Sequence, residues 1–419
     1  MPFASALFQR FKRAARVIAT GEVSRFADDE NVGFLFTRLR ALEDAVCSAP
    51  RLSVLVPTLS ARLAYGGLAT HVELPLLVFQ RYLMTKGWSL RFICTGDKPE
   101  DSDNIVQHYA AKNGLEDSAV DYSYANESIA VSPRDVFLGS LWQSYYDALP
   151  LLDFQASVLG KKRVSYVSLL QDYEAGFHPW SSAYMMALAF YETPGNALVF
   201  NSRELERYYI TRGHPAEERA VFEPVMNAGL AQLMTSAREH KKQRQIVVYA
   251  RPQERRNCFY VLRRALEEWS YSYPRAREWK VVAVGAANVR MALKPGVQWE
   301  NRAKLSIETY AGELARSAVG VSLMASPHPS YPPLEMAHYG ALTITNSFPC
   351  KDLSSWHENI RSLEKLTPPA LASAIADACD RFEADSQAGL NGKSHKPGYV
   401  LGYSDETLAD IGQLIASVS

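Results

Sequence analysis

Short, nearly unbroken apolar runs punctuate this chain. They fall at 52–57 (LSVLVP), 90–94, 135–139, 164–170, 197–202, 246–250, 279–285, 319–324 and 341–345. Runs of this length, rich in Val, Ile and Leu and free of strict alternation, predict strands buried on both faces, as in parallel sheets. Between them apolar residues recur at helical spacing. Helices are predicted over 68–86, closing at Gly87, over 105–112, around Trp142, Tyr145, Tyr146 and Leu149, and over 203–211, 305–317, 333–339 and 405–416. Strand, loop, helix, strand is the right-handed parallel unit, so the pattern predicts an α/β protein. Two helical patterns precede the first strand. Residues 1–25 place Phe3, Leu7, Phe11 and Ile18 on one face and Arg10, Lys12, Arg13 and Arg16 elsewhere. Over 32–46, Phe34, Leu35, Leu39, Leu42 and Val46 share a face, which predicts a second helix.

At 419 residues the chain has room for two or three domains. Its 45 basic and 45 acidic side chains cancel, which argues against bulk electrostatic capture of nucleic acid. The five cysteines are scattered, without metal-ligand spacing, and predict reduced thiols in a cytoplasm. No apolar run is long enough to span a bilayer, and no signal peptide with a small-residue cleavage site is evident. The basic helix of 1–25 either lies on an anionic membrane surface, at the inner face of the cell membrane, or docks on its own domain or a partner. Asp101-Ser102-Asp103-Asn104 has the look of a metal-binding DxD motif. It reads better as an N-cap cluster for the helix over 105–112, and no metal is assigned.

Polar chemistry gathers after strands, where open parallel sheets place their ligands. Gly66-Gly67 lets the backbone approach a ligand at a helix start. The loop at 171–180 (QDYEAGFHPW) brings together Asp172, Glu174, His178 and the aromatics Tyr173, Phe177 and Trp180; aromatic faces stack on sugar rings and carboxylates bind hydroxyls. Arg251 and Arg256 follow the strand at 246–250, and two forked guanidiniums suit phosphate oxygens. In the stretch 323–346, Pro327, Pro329, Pro332 and Pro333 stiffen a turn, a helix begins at the last of them, and Glu335 sits one turn inside. A helix start beyond a strand end is an anion and nucleotide site.

The order of these features over about residues 50–350 resembles the GT-B glycosyltransferases of the retaining, glycogen-synthase-like type. The segments PSYPPLEMAHYGALTITN and QDYE resemble more closely the WsaF-type rhamnosyltransferases that use dTDP-rhamnose. The resemblance implies two Rossmann-like domains with parallel sheets facing a central cleft. A helical extension (1–47) would lead into an acceptor domain (48–235), then a donor domain (236–396) and a C-terminal helix (397–419) crossing back to the first domain. It implies that Arg251, Arg256 (where the family has lysine) and Lys304 bind the donor diphosphate, and that Glu335 holds the nucleotide ribose. The hydroxyls of Ser330 and Tyr331 would replace N–H donors that Pro332 and Pro333 remove. Gly66, Gly67, His178 and Trp180 would face the acceptor and donor in the cleft. Asp172 and Glu174, with Arg251 and Lys304, are the catalytic candidates. The family's first glutamate falls on Pro327, with His328 beside it, so its role does not carry over. The activity implied is metal-independent, retaining transfer of L-rhamnose from dTDP-L-rhamnose to a hydroxyl of a growing bacterial surface glycan, free or lipid-linked, without a cofactor. A non-catalytic glycan- or nucleotide-binding protein on the same frame is the alternative. A dinucleotide oxidoreductase is disfavoured, because no GxGxxG follows any strand.

Overall fold

The computed structural model describes residues 37, 39–61, 66–96, 98, 103–162, 164–237, 239–287 and 289–419. The basic pattern of 1–25, and Asp101 and Ser102, lie outside them. So does the start of the second helical pattern, residues 32–36 and 38; its described remainder is not a helix. Residues Arg40–Glu43 form a strand, β1, paired parallel with β5 (Ser128–Val131). Leu42 and Val46, which a helix would have turned inward, are 55% and 93% exposed. Pairing with β5 and burial of Leu39 outweigh the local periodicity.

Two parallel sheets make up the body. The first contains β2 (Arg51–Val56), β3 (Ser89–Cys94), β4 (Val120–Tyr124), β6 (Asp135–Gly139), β7 (Tyr166–Leu170), β8 (Ala197–Phe200) and β9 (Arg219–Val221), in the order β4-β3-β2-β6-β7-β8-β9. The second contains β10 (Gln243–Ala250), β11 (Lys280–Gly285), β12 (Gln298–Asn301), β13 (Ser317–Val321), β14 (Leu342–Asn346) and β15 (Ile360–Leu363), in the order β12-β11-β10-β13-β14-β15. Helices cover both faces, which explains the unbroken apolar runs. Along β2, Val54 and Val56 enter one core cluster while Leu55 enters the one on the opposite face. Along β10, Ile246 and Val248 point one way and Val247 the other. This is the two-lobed plan that the resemblance implied.

The helices that position the site are α1 (Gly66–Val78), α2 (Ile105–Lys112), α3 (Trp142–Ser157), α4 (Ser182–Tyr191), α5 (Arg203–Thr211), α6 (Ala228–Ala237), α7 (Phe259–Ser272), α8 (Ile307–Arg316) and α9 (Tyr331–His338). Asn104 caps α2 by accepting the Val106 N–H, as its place in the acidic cluster suggested. Beyond α10 (Pro368–Ala384) and the short α11 (Gly398–Leu401), the last helix, α12 (Asp405–Ser417), returns to the first sheet. Leu408, Ile411 and Ile415 join that sheet's core, and Ser165 Oγ donates to the Val418 carbonyl at 3.2 Å. Gly412 makes the fit, since a Cβ there would lie 2.3 Å from Tyr82 Cδ1. Among the described residues no helix is long and apolar enough to cross a membrane.

Candidate active site

The C-terminal ends of both sheets open onto a cleft of about 310 Å³. Its walls take Gly67 and His71 from α1, Ser140 after β6, Gln171, Asp172 and Glu174 after β7, Asn201 after β8, Arg251 and Arg256 after β10, and His328, Ser330 and Tyr331 before and at α9. A second chamber of about 390 Å³ lies beyond Tyr331 and holds Glu335, Tyr310 and Asn227; Tyr249, Tyr331 and Pro332 line both. Arg251 and Glu335 therefore face two compartments of one groove.

Both carboxylates after β7 are buried. The Asp172 carboxylate accepts from the Tyr173 N–H at 2.8 Å and from the Ser326 hydroxyl of the other lobe, and it faces Arg256 Nε at 3.8 Å. Burial pushes its pKa up, and the Arg256 charge opposes that shift. Glu174 accepts the Trp142 N–H at 2.9 Å, and burial pushes it up to about 8. It is thus protonated near neutrality.

Glu254 organises the two arginines. Its oxygens lie 3.1 Å from Arg251 Nη2 and 3.6 Å from Arg256 Nη1, while the Arg256 guanidinium stands 4.2 Å from the centre of the Phe177 ring. Gly285, at the end of β11 with φ 116°, keeps the space behind Arg251 clear: a Cβ would approach Arg251 Cγ to 3.1 Å and Tyr249 Cε2 to 3.2 Å. No substitution relieves a positive φ there, which only glycine adopts readily.

In the neighbouring loop, after β13, Ser330 turns the chain into α9 with φ 71°, and Pro332 and Pro333 occupy the first turn. The Ser330 N–H donates to His328 Nδ1 at 3.0 Å, and the His328 N–H donates to Ser326 Oγ at 3.0 Å. The Tyr331 hydroxyl crosses the cleft to Thr70 Oγ1 at 3.3 Å and Asn201 Nδ2 at 3.4 Å. Glu335 accepts from the Tyr310 hydroxyl at 2.8 Å, and burial pushes it up to about 7.

Gly66 opens α1 beside Gly67. His178 sits edge-on to Trp142, with ring centroids 5.8 Å apart, and is not among the cleft-lining residues; Trp180 is 92% exposed. Lys304 is exposed ahead of α8 and outside the lining of both chambers. Among the lining residues that escaped the sequence reading are His71, Ser140, Tyr249 and Tyr310. His71 Nδ1 lies 2.6 Å from Ser140 Oγ, its Nε2 has no partner, and burial pushes its pKa down to about 3. A histidine on the apolar face of α1 was the available signal. Among the described residues no group of three or more His, Cys, Asp or Glu could hold a metal ion.

Residues 51–203 match the family profile described as "WsaF, N-terminal domain", and residues 244–376 match "WsaF, C-terminal domain". The O-antigen biosynthesis protein RfbC of Myxococcus xanthus is 27% identical over 266 residues, which are 63% of this chain and 20% of that protein. The chain thus spans about a fifth of that relative's length. Among solved structures, Staphylococcus aureus TarM, in a complex with fondaparinux, α-GlcNAc-glycerol and UDP, superposes with a TM-score of 0.57 at 8% identity, over 87% of this chain and 99% of that one. An α,α-trehalose 6-phosphate synthase from Burkholderia multivorans gives 0.54 at 11% identity, over 89% and 99%. At such identities the likeness concerns the fold.

Proposed function

Given that this chain belongs to the WsaF family of GT-B glycosyltransferases, we propose that it transfers L-rhamnose from dTDP-L-rhamnose to a hydroxyl of a bacterial surface glycan, with retention at the anomeric carbon. The observation that carries this reading is the pair Arg251 and Arg256, tied by Glu254 and set beside the start of α9 in one cleft between two parallel sheets. Breaking the bond between the anomeric carbon and the diphosphate puts negative charge on the leaving group while the sugar becomes oxocarbenium-like. Guanidiniums already aimed at the leaving oxygens stabilise that charge without reorganising, and each such donor is worth about 3 kcal/mol. In our reading Arg251 and Arg256 do this in place of a metal ion; Lys304, exposed and outside both chambers, would have to swing in to join them. Asp172, backed by Arg256, is the carboxylate able to stand against the positive sugar; Glu174, protonated near neutrality, is not. Glu335 and Tyr310 would hold the nucleoside in the second chamber. The name of the Myxococcus relative supports a surface-glycan acceptor, and the basic pattern of 1–25 supports a peripheral membrane site at the cytoplasmic face.

Thermal-shift titration with dTDP, UDP, GDP and ADP, followed by turnover of dTDP-rhamnose with and without chelator, tests this. We expect dTDP to give the largest shift, and Arg251→Ala to lower turnover by roughly two orders of magnitude with the fold intact. No shift with any nucleotide, or an unchanged rate in Arg251→Ala, would refute the assignment.

A further inference from the structure

His328 occupies the place in the loop where the resemblance puts a neighbour of a glutamate, but its chemistry is the reverse of a glutamate's. The ring is 4% exposed and lines the main chamber. Its Nδ1 accepts the Ser330 N–H, so in the neutral ring Nε2 bears the proton. That Nε2–H is buried and has no partner. A buried donor left unpaired is costly, so the arrangement calls for an acceptor that arrives from outside the chain. We infer that His328 Nε2–H donates a hydrogen bond to an oxygen of the bound sugar nucleotide and helps set its affinity. This rests on the sugar-nucleotide reading above.

Two features say what kind of oxygen. A glutamate would accept from sugar hydroxyls, whereas this N–H needs a lone pair, on a phosphate oxygen or a hydroxyl oxygen. The charges that act on it are cationic, Arg256 and the buried Lys351, whose Nζ donates to the Met324 carbonyl at 2.7 Å; Asp172 lies one step further, bonded to Ser326. With burial, these charges push the imidazole down to about 3. It therefore stays neutral at working pH and keeps its donor direction. The positive surroundings favour the phosphate oxygen.

Calorimetric titration of the full chain with dTDP and with dTDP-rhamnose tests the inference, on wild type, His328→Phe and His328→Gln. Phenylalanine keeps the ring and removes the donor; glutamine carries an N–H near the Nε2 position. His328→Phe is expected to bind roughly tenfold more weakly or worse, and His328→Gln to recover to within roughly threefold of wild type. Weakening with both ligands assigns a phosphate oxygen, and weakening with dTDP-rhamnose alone assigns a sugar oxygen. Equal affinities for wild type and a folded His328→Phe overturn the inference and leave the sugar-nucleotide reading standing. If wild type binds neither ligand, that reading falls as well. Should His328→Phe fail to fold, His328→Gln against His328→Leu makes the same comparison.

Discussion

Glu174 offers a test whose sign and size both follow from the structure. Its carboxyl is buried behind β7, accepts one N–H from Trp142, and is pushed up to about 8 from an ordinary 4.5, chiefly by burial. A carboxyl whose folded pKa lies above its unfolded one takes up a proton on folding. Its contribution to stability is then fully present below pH 4.5 and is lost as pH rises towards 8. At pH 7 the unfolded group is ionised and the folded one is not, a penalty on the order of 3 kcal/mol. Glu174→Gln has nearly the shape of the protonated acid, keeps an acceptor for the Trp142 N–H, and carries no such penalty. Urea unfolding of both proteins from about pH 5 to about pH 8 should show the mutant gaining on wild type by roughly 1 kcal/mol per pH unit. Glu335, also raised by burial, is present in both proteins and drops out of the difference. A difference that stays flat across that range would mean the carboxylate finds compensation on ionising, and the reasoning about its burial would be wrong.

Two further substitutions probe the frame around the cleft. Gly285→Ala puts a side chain on a backbone with φ 116° and against Arg251 Cγ, so we expect a loss of about 1–3 kcal/mol in urea unfolding together with weaker dTDP binding; unchanged values for both would show that β11 yields there. Gly412→Ala should stabilise an isolated helix by up to about 1 kcal/mol, yet here it places a Cβ 2.3 Å from Tyr82 Cδ1. The expected outcome is a lower melting temperature and faster proteolysis ahead of α12, and a raised melting temperature would show that the packing of α12 on the first lobe gives way freely.

The strands were legible because they are buried on both faces: β2, β3, β6, β7, β8, β10, β11, β13 and β14 all coincide with apolar runs. The edge strands were not. β4 (VDYSY) and β12 (QWEN) sit at the outer edges of their sheets, are only partly covered, and read as polar loops. Residues 40–43 misled because this strand is exposed at Arg40, Leu42 and Glu43 and so leaves no period-two apolar signal to compete with the helical spacing around it. The charged residues of the cleft could be found because arginines and carboxylates after a strand are conspicuous in any sequence. Tyr249 and Tyr310 could not, since each looks like ordinary core until the lobes are brought together and the two rings line the chamber that holds Glu335.

The start of α9 explains why so much of the site is made of side chains. An α-helix ordinarily presents four unpaired backbone N–H groups at its first turn, and these make it an anion site. Here the first turn runs Tyr331, Pro332, Pro333, Leu334, so two of the four donors are missing. The helix, eight residues long, keeps the N–H groups of Tyr331 and Leu334 at that turn. On the proposed reading the donors for a diphosphate come from elsewhere in the cleft, from the two neighbouring loops that follow β10 and β13. Arg251 and Arg256 reach in from β10 in a fork fixed by Glu254, and His328 contributes a buried N–H whose direction Ser330 fixes. Proline at the helix start and arginine after β10 are in this sense one adaptation: rigid backbone is traded for charge that is stronger, and that depends on Gly285 to leave it room.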